Sequence, residues 1–311
     1  MKLHKLSKDQ DDSLKKIATN FPNEQSVIKN SYAKGLTFGI KDVFSLKDFK
    51  KNYNYLVYTL SLSTDIIKQV TSSSKKKITK PEFKELTNLI NELGISSFGV
   101  LKLQSQNIFQ DKGIPYDYAI VITVSMSRDI FSNTPNLSSQ NEVLRIYGKA
   151  GNAVIEISKF LRKSGYNAVP NHPHSGSIDY CKAGALAGLG YFGRHGMLIT
   201  PENGPCHRLA VVYTDIDNIE DYIENKDNHE WISEFCKMCG KCIKMCPTDA
   251  ILIEKKVDEY GNTTSINYEK CSKNFKQYGC GICIKECPFT SIGYQNLYAK
   301  YQKNNQPILH Q

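Results

Sequence analysis

Eight cysteines in the last quarter of the 311-residue chain form two sets whose spacing suits metal binding. The sets are Cys236, Cys239, Cys242 and Cys246, and Cys271, Cys280, Cys283 and Cys287. Each set ends in a cysteine that is followed by proline. Zinc sites usually place two cysteine pairs around a longer insert, whereas three closely spaced thiols followed by a fourth and a proline are typical of [4Fe–4S] proteins. The pattern therefore predicts two [4Fe–4S] clusters.

The last cysteine of each set is expected to serve the other cluster, because the turn at the proline carries it away from its neighbours. This rule assigns one cluster to Cys236, Cys239, Cys242 and Cys287. It assigns the second cluster to Cys246, Cys280 and Cys283, with Cys271 as the remaining ligand. The second set is irregular, since eight residues separate Cys271 from Cys280. In the alternative interpretation Cys271 is spare, and one cluster has three cysteine ligands.

The composition is that of an ordinary soluble globular protein, with 40% hydrophobic and 23% charged residues. Apolar stretches such as residues 118–124 are far shorter than the roughly 18–20 residues of a membrane helix. The first 16 residues contain no apolar signal core, so the sequence predicts a cytoplasmic protein without a membrane segment. In that compartment, ten cysteines indicate metal binding rather than disulfides.

The net charge of +9 is concentrated at the N-terminus, where residues 1–80 contain 16 lysines and seven acidic residues. Such a basic region can contact nucleic acid or an acidic partner, or can form a solvated lysine-rich surface. Arginine is scarce, and four of the five arginines lie between positions 145 and 208. A guanidinium supplies planar hydrogen bonding that lysine cannot supply, which directs attention to this segment.

Helical and strand patterns alternate between the basic region and the cysteines. Residues 80–103 indicate a helix, a glycine stop and a strand, and residues 116–126 indicate a buried strand. Apolar residues at helical spacing predict a helix that ends at Gly165, a strand at 166–169 follows, and residues 207–216 form another strand. Residues 72–83 combine a polar run with a proline and are interpreted as a linker or exposed loop.

These elements predict an α+β fold in which a mixed α/β core is followed by a ferredoxin-like double-cluster domain. The predicted units are a basic N-terminal region (1–80), the core (81–232), the double-cluster domain (233–293) and a C-terminal tail (294–311). Some 230 residues precede the cysteines, which is too much chain for a simple electron carrier. The glycine-rich segment 184–204 lacks the spacing of a Rossmann dinucleotide site, and no P-loop is present.

Three ordered blocks carry a resemblance to a known family. They are "IYGKAGNAVIEISKFLRKSGYNAVP", "AGALAGLGYFGRHGMLITPENGPCHRLAVVYTDI" and the cysteine region "FCKMCGKCIKMCPTDAI…CGICIKECPF". In this order they are similar to the cobalamin-dependent iron–sulfur reductases, which include reductive dehalogenases and epoxyqueuosine reductases. The second block resembles the dehalogenase branch more closely, because epoxyqueuosine reductases usually have Lys–Asn where this chain has Arg194 and His195.

The resemblance implies a base-off cobalamin between the core and the clusters. The residues that would contact the corrin are Ala187, Gly188, Leu189 and Gly190. Arg194 matches the family's basic residue beside the substrate. Arg208 matches a further family arginine, for which cofactor contact and a structural role are both open.

The proton donor is left open by the sequence. The resemblance to dehalogenases implies a tyrosine, and Tyr147 is the candidate, although its position also suits packing. Epoxyqueuosine reductases use an aspartate, for which Asp179 and, at the nearer matching offset, His174 are candidates in the polar loop 171–180. That loop can equally be an ordinary turn. Cys181 and Cys206 are interpreted as buried small hydrophobic residues rather than nucleophiles.

The leading hypothesis is a soluble oxidoreductase that takes electrons from a ferredoxin- or flavodoxin-type donor. The electrons would pass through both clusters to cobalamin, which would reduce a small organic substrate, as in reductive dehalogenases. A second hypothesis is an epoxyqueuosine reductase-like enzyme that binds tRNA through residues 1–80. A third is an electron-transfer protein without its own catalytic site.

Overall fold

The computed structural model describes residues 2–27, 47–70, 73, 75–223, 229–275 and 279–304. The helices are α1 Lys2–Lys16, α2 Lys47–Lys68, α3 Lys80–Glu92, α4 Arg128–Phe131, α5 Leu137–Lys163, α6 Tyr180–Leu186, α7 Trp231–Cys239, α8 Lys241–Lys244, α9 Tyr268–Phe275, α10 Ile282–Lys285, α11 Pro288–Ser291 and α12 Tyr294–Asn304. The strands are β1 Ser97–Lys102, β2 Tyr118–Ser125, β3 Ala168–Asn171, β4 Tyr191–Phe192, β5 Leu198–Ile199, β6 His207–Thr214, β7 Ile251–Val257 and β8 Thr263–Ile266.

A four-stranded sheet of order β1-β2-β6-β3 forms the centre of the core. Every neighbouring pair in it is antiparallel, and Val121 of β2 lies opposite Val211 of β6. Strand β2 is buried along its length except at Ser125, so its run of apolar residues does not alternate with polar ones. The predicted α+β class is confirmed.

Helices cover both faces of this sheet. Helix α5 packs on one face, where Ile146, Val154 and Ile157 meet Ile120 and Val212 of the strands. The other face is covered by α6 and the segment after it. Burial of apolar area stabilises by about 25 cal/mol per Å², so a sheet covered on both faces is strongly stabilised.

The N-terminal helices join the core through a buried polar network around His172. The backbone N–H of His172 donates to Gln10 Oε1 of α1 (3.1 Å), and its Nε2 lies 3.1 Å from Thr59 Oγ1 of α2. The side chain of His172 is fully buried, and burial holds its pKa well below the ordinary value. The ring is therefore neutral and serves packing and hydrogen bonding.

Most predicted elements are present, with shifted ends. Helix α5 begins at Leu137, where the Asn136 side chain caps it by accepting from Ser139 N (2.8 Å). It ends before Gly165, as predicted, where φ is +86°. Strand β3 begins at Ala168, two residues later than predicted.

The interpretation of residues 72–83 as a linker or exposed loop is wrong for its described second half. Ile78 is buried in the core, and α3 begins at Lys80 with Thr79 and Glu82 forming a capping box. Tyr166 Oη also donates to Glu82 Oε2 (2.8 Å), which ties this segment to the end of α5. The boundaries predicted at residues 80, 232 and 293 stay predictions.

Aromatic residues fasten the cysteine-bearing region to the core. Trp231 packs against Phe235, Phe289 and Tyr294, and its Nε1 donates to Tyr294 Oη (2.8 Å). The same hydroxyl lies 2.8 Å from His229 Nδ1, whose other nitrogen lies 3.3 Å from Gly188 O. Helix α12, at the start of the predicted C-terminal tail, is thus part of the packed structure. Within the described residues, we find no helix with the length and apolarity needed to cross a bilayer.

Replacing Gly151 by alanine is expected to destabilise the fold by about 1–3 kcal/mol, because the new methyl group would overpack the core. Its Cβ would lie 2.1 Å from His172 Nε2, on a ring that the buried network holds in place. Gly148→Ala on the same helix is the control, since its Cβ would meet Tyr55, a partly exposed ring that can turn outward. Urea unfolding followed by the fluorescence of Trp231 measures both variants, and equal losses of stability would contradict this assignment.

Candidate functional site

Four of the eight cysteines line a small cavity beside α7 and α8. These are Cys236, Cys239, Cys242 and Cys287, which form the first group predicted from the spacing. Gly240 separates α7 from α8 with φ at +55°, a left-handed conformation that lets the chain reverse between Cys239 and Cys242. Cys287 comes from the far end of the second set and begins α11. We call this space the smaller cavity.

The other four cysteines line a larger cavity of about 250 Å³. These are Cys246, Cys271, Cys280 and Cys283. Helix α9 follows the β7–β8 hairpin and brings Cys271 to this cavity, and its continuation to Phe275 takes up part of the long spacing between Cys271 and Cys280. Asn274 Nδ2 of α9 donates to Cys280 Sγ (3.2 Å). Each cavity is thus lined by four thiols. Cys246 lies with three cysteines of the second set, and Cys287 lies with three cysteines of the first set.

The donor sets fit [4Fe–4S] clusters, which are held by four thiolates each. Burial raises the pKa of the Cys242 thiol to about 11 and also raises the pKa of Cys283 and Cys287. Around Cys246, burial is outweighed by backbone N–H groups of Thr248 and Ala250, and the pKa is lowered. Binding of iron would therefore displace protons from the buried thiols. The assignment of each cysteine as a ligand stays a prediction.

The second cysteine loop is docked on the start of α5. The Thr134 hydroxyl hydrogen-bonds to Cys280 O, and it lies 3.0 Å from Ser139 Oγ. Gly281 has φ at +85°, and a Cβ there would lie 2.9 Å from Thr134 Oγ1. The glycine is therefore required by both the backbone conformation and the close approach, and it sets the position of Cys280 and Cys283 against the core.

The larger cavity is also lined by Tyr147 of α5 and Arg208 of β6. The Arg208 guanidinium carbon lies 5.2 Å from the centre of the Tyr147 ring, within cation–π distance. Arg208 Nη1 donates to His207 O (3.2 Å), while its Nε is buried and has no partner among the described residues. A cation and a tyrosine thus line the same space as four thiols.

Arg194 lies elsewhere, among the residues that line the smaller cavity. Its Nη2 donates to Leu252 O (3.3 Å), which connects the core to β7, and its backbone N–H is directed at the Cys236 sulfur. The structure thus brings Tyr147 together with Arg208 and places Arg194 beside Cys236. The catalytic role of Arg194 stays a prediction.

The other predicted proton donors have structural partners. His174 Nδ1 lies 2.8 Å from Ser7 Oγ, and its ring makes an edge contact with Tyr147 at 5.7 Å. Asp179 caps α6 by accepting from Cys181 N (2.9 Å) and Lys182 N (3.1 Å), and burial raises the pKa of its carboxyl group. Neither residue is among those that line the two cavities. Their catalytic roles stay predictions.

The turn predicted to contact a corrin is packed against protein. A Cβ on Gly99 would lie 2.6 Å from Ala187 O, and a Cβ on Gly190 would lie 2.0 Å from Ile199 O. Ala187 and Leu189 are buried, and Gly188 O faces His229. Residues 187–190 are not among those that line the larger cavity.

The two isolated cysteines are protonated. Burial raises the pKa of Cys181 to about 12 and that of Cys206 to about 11. A thiol in that state is a poor nucleophile and behaves as a small apolar side chain.

His195 is a site residue that the sequence reasoning did not select. It is buried and lines both cavities, and burial lowers the pKa of its ring to about 4. Its only signal in the sequence is its place in "GRHG", where glycines leave room for a ring to fold back over the chain.

Replacing Cys271 by serine is expected to remove the second cluster and to lower the iron content from about eight to about four atoms per chain. The reason is that Cys271 converges with three other thiols on the larger cavity. Cys181→Ser, which removes a thiol outside both cavities, is the control. Iron and sulfide are measured after anaerobic reconstitution, and an unchanged content in Cys271→Ser would support the interpretation that Cys271 is spare.

Comparisons with known proteins agree with this geometry. A family model described as a 4Fe-4S dicluster domain matches residues 235–291. Tetrachloroethene reductive dehalogenase from Desulfitobacterium hafniense is 30% identical over 222 residues, which are 67% of this chain and 39% of the relative. Epoxyqueuosine reductase from Cyclobacterium marinum is 31% identical over 115 residues, which are 33% of this chain and 34% of the relative.

Among solved structures, a catabolic reductive dehalogenase in complex with 3-bromo-4-hydroxybenzoic acid matches with a TM-score of 0.62 and 21% identity. The match covers 76% of this chain and 37% of that chain, and it concerns the fold. The chain spans about two fifths of the length of the reductive dehalogenases that it matches. The resemblance seen in the sequence is confirmed, and this chain belongs to the family of iron–sulfur reductases that includes the reductive dehalogenases and the epoxyqueuosine reductases.

Proposed function

We propose that the chain is an iron–sulfur reductase that passes electrons through two [4Fe–4S] clusters to a small organic substrate in the larger cavity. The observation that carries the proposal is that Tyr147 and Arg208 line the same cavity as Cys246, Cys271, Cys280 and Cys283. A simple carrier needs only clusters near its surface, whereas a reductase needs a space beside a cluster with groups that stabilise charge and supply protons.

Electrons enter at the cluster of the smaller cavity. Cys239 of that cavity is flanked by Met238, which is 73% exposed, and by Gly240, whose surroundings are open. An external donor of the ferredoxin or flavodoxin type can approach this surface, and a cluster held by Cys246, Cys271, Cys280 and Cys283 would supply the electrons for the reduction at the larger cavity. The identity of the donor and the cytoplasmic location stay predictions.

Arg208 stabilises the negative charge that builds up as electrons are added to the substrate. A guanidinium keeps its positive charge throughout the physiological pH range. Its position over Tyr147 is fixed before reaction, and within the described residues the Nε–H has no partner that would compete for it. A fixed charge in a largely apolar cavity acts more strongly than the same charge in water.

Tyr147 is the proton donor in this proposal. Reductive removal of a halogen consumes two electrons and one proton, breaks the carbon–halogen bond, forms a carbon–hydrogen bond and releases a halide ion. The Tyr147 hydroxyl supplies that proton and recovers it from water. Phe131, Val143 and Met197 line the same cavity with apolar surface, which favours an organohalide over a charged metabolite.

Cobalamin is the proposed cofactor, on the basis of the dehalogenase relatives. When bound, it would supply a reducible cobalt centre between the clusters and the substrate. The chemical character of the lining fits cobalamin. The cofactor would be bordered by apolar walls and by Tyr147, His195 and Arg208, beside the thiols. The cavity of about 250 Å³ is smaller than the roughly 300–1,000 Å³ of pockets for drug-sized ligands, so the described residues enclose only part of a corrin.

Cobalamin added to the anaerobically reconstituted protein is expected to bind and to change its visible spectrum to that of the base-off form. Val143→Trp, which narrows the cavity, should raise the apparent Kd about tenfold or more. Phe160→Trp, on the same helix but outside the cavity, should leave the Kd unchanged. Halide release by a protein that binds no cobalamin would refute cobalamin as the cofactor and would leave the proposed reductase function intact.

Tyr147→Phe is expected to slow turnover by about 10²–10⁴-fold, the usual contribution of a positioned proton donor, with both clusters retained. Tetrachloroethene and 3-bromo-4-hydroxybenzoic acid, the compounds named with the relatives, serve as probes, with a chemical reductant as electron source. Tyr58→Phe, which alters an exposed tyrosine that lines neither cavity, is the control. Release of neither chloride nor bromide by the unaltered protein would refute dehalogenation, and a full rate in Tyr147→Phe would exclude Tyr147.

A further inference from the structure

Two neighbouring N–H donors at the smaller cavity are buried without a protein partner. They are Arg194 Nε and His195 Nε2, and neither atom has a hydrogen bond within the part of the chain that the structure describes. Both residues line the smaller cavity together with its four cysteines. Native proteins rarely leave buried donors unsatisfied, so two of them at one cavity indicate an acceptor that occupies it.

The hydrogen bonding of His195 places its proton on Nε2. The backbone N–H of Met197 donates to His195 Nδ1 (3.2 Å), so Nδ1 is the acceptor and Nε2 carries the hydrogen. The ring is also held in position by its packing over Gly193. A Cβ at that glycine would lie 2.5 Å from Cε1 and 2.9 Å from Nε2. The donor is therefore fixed in both tautomer and place.

Arg194 is held by two further interactions. Its Nη2 donates to Leu252 O (3.3 Å), which fixes the guanidinium on the β7 side, and its backbone N–H points to the Cys236 sulfur. The remaining donor, Nε, is buried and has no hydrogen-bond partner among the described residues, and Arg194 lines the same cavity as the four thiols.

We infer that Arg194 Nε–H and His195 Nε2–H donate hydrogen bonds to sulfur atoms of the cluster in the smaller cavity and raise its reduction potential. The inference rests on the proposed assignment of that cluster to Cys236, Cys239, Cys242 and Cys287. A reduced cluster carries one more negative charge than an oxidised one, so donors at its sulfurs favour the reduced form. Arg194 and His195 are positioning residues that set how readily electrons enter.

The test measures the midpoint potentials of both clusters by redox titration monitored by electron paramagnetic resonance. His195→Leu removes the donor, and His195→Gln retains an N–H near the same position. His207→Leu is the matched control, because His207 is also a buried histidine but lines neither cavity. Iron content is measured in every variant.

His195→Leu is expected to lower one midpoint potential so that, at a fixed applied potential, the ratio of reduced to oxidised cluster falls about tenfold, equivalent to about 59 mV for one electron. His195→Gln should restore most of the shift, and His207→Leu should cause none. Arg194→Gln should lower the same potential. In a Cys271→Ser background, which retains the cluster of the smaller cavity, the shifted signal should persist.

Two results would overturn the inference without touching the proposed function: unchanged potentials in His195→Leu at full iron content, or a shift confined to the other cluster. A protein that assembles fewer than two clusters would instead refute the proposed function. If His195→Leu does not fold, the inference is tested on the unaltered protein. Labelling with ¹⁵N-histidine should then give a hyperfine coupling to the reduced cluster of the smaller cavity, and its absence refutes the bond.

Discussion

The convergence of two cysteine sets on two shared cavities is the constraint on which the rest of the structure depends. Cys246 belongs to the first set but lies at the larger cavity, and Cys287 belongs to the second set but lies at the smaller cavity. Neither set can therefore complete its site alone, and both must be in place before either cavity has four thiols. The β7–β8 hairpin and helix α9 follow the first cysteine set. This requirement sets their position, because α9 must place Cys271 at the larger cavity.

Docking of the cysteine region on the core creates the larger cavity. Thr134 fixes the second cysteine loop against the start of α5, and the same helix presents Tyr147 to the space behind that loop. Strand β6 contributes Arg208, whose guanidinium lies over the Tyr147 ring at the sheet that α5 covers. The larger cavity thus lies between the cysteine-bearing region and the core. The cysteine-bearing region alone would retain the thiols and lose Tyr147 and Arg208.

The local pattern of the sequence predicted much of this arrangement. Contacts between residues that are far apart in the sequence could not be predicted from it. The cysteine grouping follows from spacing alone, and the continuous apolar run of β2 indicated a buried strand. The pairing of Tyr147 with Arg208 could not be predicted, because 60 residues separate them and only the packing of α5 on β6 brings them together. Contact of residues 187–190 with a corrin stays a prediction, and at Gly190 the close approach of Ile199 O by itself requires a glycine.

The segment from Gly193 to Met197 gives the two cavities a common wall. His195 lines both of them. Its ring accepts a hydrogen bond from the Met197 backbone and packs over Gly193, where any side chain would clash with it. Burial keeps this ring neutral, so it borders both spaces without adding a charge to either. Arg194 adds its charge at the smaller cavity, and Arg208 adds one at the larger. Because a fixed cation stabilises negative charge added nearby, the core supplies the same electrostatic stabilisation at both cavities.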